Sequence, residues 1–148
     1  MTGKAIDTEH YRKLERMYQA APINQYFQPR MTIGPGTAEV RIMVRPDFHH
    51  AAGAAHGAMY FKALDDAAYF AVSSLVADVF VLTISYTTYI ERPVVEGLVR
   101  CLGQVVMSSR NLFIAESRLL DDQDRELARG SGNFVKGRTA LSPAIGYR

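Results

Sequence analysis

The residues best suited to chemistry lie between His49 and Ala71, in the segment H-H-A-A-G-A-A-H-G-A-M-Y-F-K-A-L-D-D-A-A-Y-F-A. A loop of small residues carries histidines, and the apolar segment after it carries two adjacent carboxylates, Asp65 and Asp66. Burying a carboxylate costs free energy unless a partner compensates for it. The pair is therefore either a structural ion-pair site or a functional site.

The start of the apolar segment offers hydrogen-bond donors. His56-Gly57-Ala58 stands where a helix would begin, and the N–H groups of a first helical turn have no partner within the helix. The helix dipole also favours a negative charge at this end. We expect the Gly57 N–H to serve an oxyanion. A glycine needed only for a tight entry into the helix is the alternative, and the same geometry satisfies both.

The two carboxylates differ in their helical neighbours. Asp65 has Phe61 and Tyr69 four residues away, so desolvation should raise its pKa and suit it to act as a base. Asp66 follows Lys62 by four residues, which is an ordinary spacing for a helical ion pair. A structural role stays open for Asp65 too, through Lys62 or through a basic group of another subunit.

The composition excludes several classes of function. The chain has 148 residues, 48% of them hydrophobic, and a net charge of +2 that gives no reason to expect nucleic-acid binding. Its one cysteine, Cys101, permits no internal disulfide and favours a reducing compartment. No apolar signal core and no run of about 20 apolar residues is present. We therefore expect a cytoplasmic protein with no membrane partner.

Two further kinds of site are not expected. His49, His50 and His56 lack the spacing of a known metal motif, so no metal is predicted. No glycine-rich nucleotide motif occurs either, and no other cofactor is predicted.

Hydrophobic patterning predicts a single domain of the α+β class over residues 1–148. We expect an antiparallel sheet wrapped around a long central helix, with a second copy covering the exposed face in a homodimer or homotetramer. Thr8 is the expected N-cap of the first helix, and Pro22 its stop. The predicted elements are a helix over 8–20, a strand over 37–46, the central helix over 57–76, strands over 79–91, 95–107, 111–120 and 125–137, and a loose tail over 139–148.

This element order and the loop–helix motif resemble the hot-dog fold, and within it the PaaI-type acyl-CoA thioesterases of the 4-hydroxybenzoyl-CoA thioesterase-like superfamily. The family signature looks like N-x-x-G-x-x-H-G-G, with a helical carboxylate seven residues after the second glycine. The matching string here runs from His50 to Ala58, and Asp65 takes the carboxylate position. The family's aromatic-x-R-P-like turn and later glycine correspond loosely to 89–93 and Gly97. The resemblance covers about residues 35–137.

The resemblance implies roles for several residues. Asp65 would be the base or nucleophile, Gly57 the oxyanion donor, and His56 the residue that orients the loop. Thr83 best fits the strand hydroxyl that helps to place the water, although ordinary strand residues are as good an interpretation of its hydroxyl-rich strand. Two positions depart from the family: Ala58 replaces the second glycine, and His50 replaces the asparagine. His50 could substitute for that asparagine, act as a base, or mark a different reaction.

An acyl-CoA enzyme also needs groups for the coenzyme phosphates and for the acyl chain. Basic side chains suit phosphates, and plain surface charge is the alternative for each of them. The candidates are Arg92, Arg110, Asn111, Lys136 and Arg138. The aromatic candidates for an acyl tunnel, which could equally be core residues, are Tyr60, Phe61, Tyr69 and Phe70.

The sequence therefore predicts hydrolysis of an acyl-CoA to a free acid and coenzyme A. Two alternatives stay open: a non-catalytic acyl-CoA-binding module, and a hot-dog dehydratase or hydratase that uses His50 with Asp65.

Overall fold

The helix that carries both carboxylates lies against one face of an antiparallel sheet. The computed structural model describes residues 6–148. Two short 3-10 turns occur, Pro46–Phe48 between a strand and the long helix and Pro143–Ile145 after the last strand. These elements are α1 (Thr8–Ala20), α2 (Pro22–Phe27), β1 (Arg30–Gly34), β2 (Thr37–Val44), α3 (Gly57–Ser73), β3 (Val79–Ile90), β4 (Gly97–Ser108), β5 (Leu112–Leu120) and β6 (Glu126–Ala140).

The six strands form one sheet in the order β1-β2-β4-β5-β6-β3, and every neighbouring pair is antiparallel. β3 does not pair with β4, which follows it in the chain, but with β6. It therefore forms one edge of the sheet, and β1 forms the other. The expected α+β architecture, with an antiparallel sheet around a central helix, is confirmed.

Small residues let α3 lie directly on the sheet. Ala63, Ala67 and Ala71 are completely buried along the helix. Opposite them, a Cβ on Gly103 of β4 would lie 2.2 Å from the Ala67 carbonyl oxygen, so a larger residue there would push the helix away. This close contact fixes α3, and with it the positions of Asp65 and Asp66, relative to the strands.

The N-cap of α1 and the C-terminal end of α3 differ from the prediction. α1 spans the predicted residues, but its N-cap is Asp7, whose Oδ1 accepts the His10 N–H at 3.2 Å; Thr8 lies inside the helix. α3 ends at Ser73 and not at residue 76. The hydroxyls of Ser73 and Ser74 donate back to carbonyls of the last turn, a contact that competes with continued helix.

Two elements escaped the sequence prediction. Pro22, interpreted as a helix stop, is also the first residue of α2, a position at which proline's missing N–H costs nothing. β1 has only five residues, and its burial does not alternate along the strand. It pairs with β2 in a hairpin whose two-residue connection, Pro35-Gly36, is a turn signal that the sequence prediction did not use.

The tail was predicted to be loose, and this was wrong. β6 continues to Ala140, and Leu141, Ile145 and Tyr147 pack against the core cluster that includes α1. The Tyr147 hydroxyl lies 2.7 Å from His10 Nδ1, which ties the tail to α1. The other strands match their predicted ranges to within three residues at each end. No helix in residues 6–148 is both long and apolar enough to span a membrane.

Candidate active site

Asp65 lies in the middle of α3, where the helix faces the edge strand β3. The Thr83 hydroxyl donates to Asp65 Oδ1 at 3.0 Å, so the structure brings these two predicted site residues together. Burial raises the pKa of Asp65 to about 6, against the lowering effect of the Thr83 hydrogen bond; the neighbouring Asp66 raises it further and Lys62 lowers it. The pKa of Asp65 is thus raised, as its apolar helical neighbours Phe61 and Tyr69 predict.

Asp66 has a different set of partners. Its Oδ2 accepts hydrogen bonds from Lys62 Nζ at 2.5 Å and from the Tyr18 hydroxyl at 2.6 Å. The predicted Lys62–Asp66 ion pair is therefore present, and Lys62 does not pair with Asp65. Burial nevertheless raises the pKa of Asp66, in spite of both partners. The Lys62 ammonium also lies 5.2 Å from the Tyr18 ring centre, a cation–π distance.

A cavity of about 340 Å³ opens beside Asp65 and Thr83. Tyr69, Phe70 and Phe80 contribute to its walls, and residues of α1 and α2 line it as well. Two of the four aromatic candidates for an acyl tunnel thus line this cavity. Of the others, Tyr60 lines a second cavity and Phe61 is 44% exposed.

The start of α3 holds one free donor. His56 is the N-cap, and its Nδ1 accepts the Ala58 N–H at 2.9 Å, while its carbonyl accepts the Met59 N–H. The Gly57 N–H has no acceptor among the described residues. The predicted orienting role of His56 thus takes the form of a helix cap. Because the Ala58 N–H is occupied by that cap, it offers no second donor to a substrate.

His50 lies near Gly57. The two residues, with Tyr60 and Arg92, line a second cavity of about 340 Å³. His50 Nδ1 accepts the Ala52 N–H at 3.1 Å, two residues ahead, in the manner of an asparagine side chain in a turn. The Tyr60 hydroxyl donates to the Arg92 carbonyl at 2.7 Å and holds the chain after β3 against the helix.

One chain does not bring the predicted base and the predicted oxyanion donor together. Asp65 follows Gly57 by eight residues on a continuous helix, a separation of about 12 Å along its axis. Asp65 and Thr83 line the first cavity, whereas Gly57, His50 and Arg92 line the second.

The predicted phosphate-binding residues are also divided between two regions. Arg92 follows β3 at its C-terminal end, next to the Gly57 cavity. The other four lie toward the N-terminal end of β3. Lys136 and Arg138 belong to β6, in which Lys136 pairs with Val81 of β3. Arg110 and Asn111 lie in the β4–β5 turn, next to Leu112, which pairs with Val135 of β6. All four are exposed, and neither cavity is lined by them: Arg110, Asn111, Lys136 and Arg138.

Sequence reasoning missed the contribution of the N-terminal helices. Tyr18 of α1 reaches Asp66, and Asn24 of α2 lines the cavity beside Asp65. No local spacing connects residue 18 with residue 66, so the contact could not be inferred without the fold.

Comparison with known proteins agrees with this fold and this motif. The chain belongs to the thioesterase superfamily, whose family model matches residues 52–128, a segment that includes Gly57, Asp65 and Thr83. No curated protein sequence is significantly similar to the chain.

Solved structures extend the likeness over most of the chain. The PaaI protein of the E. coli phenylacetic acid degradation operon is 15% identical, with a TM-score of 0.84 over 93% of this chain and 100% of its own. A conserved protein from Pseudomonas aeruginosa is 25% identical, with a TM-score of 0.77 over 82% of this chain and 98% of its own. A variant of PaaI from Thermus thermophilus is 21% identical, with a TM-score of 0.72 over 79% of this chain and 100% of its own. The resemblance to PaaI-type hot-dog proteins is thus confirmed.

Proposed function

We propose that this protein hydrolyses an acyl-CoA thioester to a free acid and coenzyme A. The observation that carries the proposal is the state of Asp65: a half-buried carboxylate with no ion-pair partner among residues 6–148, held by Thr83 beside a cavity with aromatic walls. In the reaction a C–O bond forms from water to the carbonyl carbon, the C–S bond breaks, and the thiolate of coenzyme A takes up a proton. Direct attack by the carboxylate, followed by hydrolysis of the anhydride, gives the same products.

The pKa of Asp65 suits it to the task of a general base. A carboxylate with a pKa of about 6 is ionised at neutral pH, yet it is more basic than an ordinary aspartate. The Thr83 hydrogen bond occupies Oδ1 and leaves Oδ2 free of any partner in the described chain, so a water molecule has an acceptor available to it.

The Gly57 N–H supports the proposal as a donor for the oxyanion that forms on the thioester carbonyl. It is a first-turn donor on the axis of a 17-residue helix, and negative charge is favoured at such a position. A backbone donor aimed at the carbonyl oxygen contributes most when the oxygen becomes negative in the transition state. Arg92 in the same cavity is the first candidate for a coenzyme phosphate.

The base and the donor meet if two copies pair through β3. Asp65 contacts Thr83, while the position of a Gly57 Cβ would be 3.4 Å from Ile90 Cδ1, at the end of the same strand. Thr83 and Ile90 are seven residues apart, about 23 Å along the strand. Antiparallel pairing with a second β3 reverses the direction, so the Thr83 end of one copy lies opposite the Ile90 end of the other. Two equivalent sites result.

The surface of β3 supports this assembly. It is a 12-residue edge strand with no second strand beside it among residues 6–148, and proteins rarely leave such an edge open. Large apolar side chains are exposed along it, with Ile84 at 63% and Ile90 at 53%. Phe61, on the exposed side of α3, adjoins the same strand through Tyr86. A second copy of the chain would cover this surface.

A panel of short, long and aryl acyl-CoAs, scored for release of free thiol, tests the proposed function. We expect release with at least one member, and light scattering should show a dimer or larger assembly. A changed enoyl absorbance without thiol would indicate a dehydratase or hydratase, and tight binding without either reaction would indicate a binding module. Either result would overturn the proposal.

A further inference from the structure

The aspartate next to the proposed base belongs to a network of its own. Asp66 Oδ2 accepts hydrogen bonds from the Lys62 ammonium at 2.5 Å and from the Tyr18 hydroxyl at 2.6 Å. The Lys62 ammonium also lies within cation–π distance of two rings, 5.2 Å from the ring centre of Tyr18 and 5.4 Å from that of Phe27. The ammonium therefore has one carboxylate of α3 and two aromatic rings of α1 and α2 as its partners.

The same ammonium has a second carboxylate within reach. Lys62 precedes Asp65 by three residues, and side chains three apart on a helix are neighbours, as are those four apart. Both residues line the cavity of about 340 Å³. Asp65 nevertheless accepts its hydrogen bond from Thr83 of β3, and Lys62 pairs with Asp66. The contacts of the ammonium with α1 and α2 favour this second choice.

An ammonium on Asp65 would impair a general base in two ways. The Thr83 hydrogen bond leaves Asp65 Oδ2 without a partner among residues 6–148, and Lys62 would occupy the oxygen that the attacking water needs. A cation in contact with a carboxylate also lowers its pKa by about 1 to 3. A weaker base removes a proton from water less readily. The base is therefore best served if the ammonium stays on the neighbouring carboxylate.

Given the proposed thioesterase function, we propose that Asp66 and Tyr18 are positioning residues that keep the Lys62 ammonium away from the base. Asp66 supplies the competing negative charge, and Tyr18 supplies a second hydrogen bond to it and a ring beside the ammonium. Tyr18 and Phe27 lie outside the matched family segment 52–128. The N-terminal helices thus act on the base through Lys62, without contact with the substrate.

Few other groups can change their charge near the two carboxylates. Among residues 6–148, Asp66 and Lys62 are the charged groups that affect the pKa of Asp65, the first raising it and the second lowering it. Groups that a second copy would bring to the site are the same in every variant, so they cancel from comparisons between variants. Burial raises the pKa of each neighbouring weak acid, which therefore stays neutral near pH 6: Tyr18, Tyr69, Tyr86 and Cys101.

The test follows the carboxyl group of Asp65 by ¹³C NMR titration of the whole protein, labelled at the aspartate carboxyls. Asp65→Asn identifies the signal by removing it, and the parent midpoint should lie at about 6. Asp66→Asn frees Lys62 to pair with Asp65, so the midpoint should fall by roughly one pH unit or more. The double variant Asp66→Asn/Lys62→Met removes both charges and should return the midpoint most of the way to the parent value.

The single variant Lys62→Met should give a shift of the opposite sign. It keeps an apolar stem but removes the cation, so the two carboxylates lie side by side without a counter-ion. The upper of their two titration steps should then move above about 6, whichever carboxylate holds the last proton. Opposite shifts do not result from a general loss of stability. Lys62→Met also keeps the test decisive if Asp66→Asn does not fold.

A second aspartate with a cation four residues away provides the control. Asp121 pairs with Arg125 at 2.8 Å, and it lines neither the cavity beside Asp65 nor the one beside Gly57. Asp121→Asn removes an ion pair of the same spacing elsewhere in the chain. The Asp65 midpoint of the parent should be kept in this variant.

The outcomes separate this proposal from the proposed hydrolysis. The proposal is overturned, even where acyl-CoAs release thiol, by an Asp65 midpoint that Asp66→Asn leaves unchanged or by an upper step that Lys62→Met leaves unchanged. A double variant with a midpoint as low as that of Asp66→Asn overturns it too. Opposite shifts that the double variant cancels support it, and the acid limb of kcat/KM should then move in the same directions. If these shifts occur and no acyl-CoA releases thiol, the positioning of Lys62 stands and the proposed hydrolysis fails.

Discussion

The two parts of the candidate site lie on one helix, but they consist of different chemical groups. At the start of α3 the chain offers backbone groups among small residues: a Gly57 N–H without an acceptor in residues 6–148, a histidine cap and an exposed His50 turn. Two turns later it offers side chains among aromatic rings: Asp65 with Thr83, and Asp66 with Lys62 and Tyr18. The first region holds the proposed oxyanion donor, and the second holds the proposed base.

This difference explains why the proposed site needs two chains. A straight helix cannot fold back to bring residue 57 to residue 65, but an antiparallel partner brings a second helix in the opposite direction. Because the two regions use different groups, different kinds of substitution should affect their activity. We call the start of α3, around Gly57 and His50, the entrance. Activity should be sensitive to changes of the backbone at the entrance and to changes of charge around Asp65.

Removal of the base should have the largest effect. Asp65→Asn keeps the shape of the side chain but cannot accept the proton, so kcat should fall by roughly 10²–10⁴-fold, and by more if the carboxylate attacks directly, while acyl-CoA still binds. In the parent, kcat/KM should rise with pH through about 6, because the carboxylate must be ionised to act and burial raises its pKa to that value. Turnover by Asp65→Asn at the parent rate would exclude Asp65 as the base.

The entrance should respond to loss of one N–H group. Gly57→Pro removes the donor at the first helical position, where proline fits a helix and the preceding His56 already has an extended backbone. We expect kcat to fall by roughly 10²–10³-fold, as for loss of other oxyanion donors. Gly57→Ala keeps the N–H, and its Cβ meets Ile90 at an ordinary 3.4 Å, so kcat should stay within a few-fold of the parent. Equal losses in both variants would indicate a steric effect instead.

His50 distinguishes two interpretations of the entrance. Its Nδ1 accepts a backbone N–H as an asparagine oxygen would, so His50→Asn should keep the turn and most of the activity, while His50→Ala should lose about ten-fold or more. If the Asn variant loses as much as the Ala variant, His50 acts as a base. Unchanged kcat/KM in both variants would remove the residue from the mechanism.

The smallest effect on turnover should come from the second carboxylate. Asp66→Asn leaves Lys62, whose side chain is 13% exposed, without its counter-ion, so the free energy of unfolding should fall by on the order of 3 kcal/mol. Turnover per folded molecule should stay within a few-fold. The double variant Asp66→Asn/Lys62→Met removes both charges and should recover most of the lost stability in urea unfolding. If Asp66→Asn instead lost turnover at unchanged stability, Asp66 and not Asp65 would be assigned as the base.

Most of the fold could be predicted because its signals are local. The apolar helix around Asp65, the alternating strand over Thr37–Val44 and the short polar turns each depend on neighbouring residues. The N-cap at Asp7 and the short β1 are also local features, formed through His10 and through the turn at residues 35–36, but they were not predicted. The ordered tail instead depends on contacts between distant residues, such as Tyr147 with His10. Local sequence patterns do not reveal such contacts.

The site shows the same limit. The Lys62–Asp66 pair could be predicted because it follows the helical repeat, and Thr83 was the best candidate on its strand. Tyr18 and Asn24 reach the cavity only through the packing of α1 and α2, which sequence spacing does not encode. The phosphate candidates came from charge alone, and the structure leaves just Arg92 beside either cavity.

Mixing two inactive variants tests the central claim, a site shared between copies, most directly. Asp65→Asn and Gly57→Pro are each expected to be inactive alone. In a hybrid dimer one site carries both defects and the other carries neither, so random exchange of subunits should restore about a quarter of the parent activity. If instead one chain supplied both groups, every site in the hybrid would carry one defect. A mixture that exchanges subunits, confirmed by mass, and stays inactive would contradict the account.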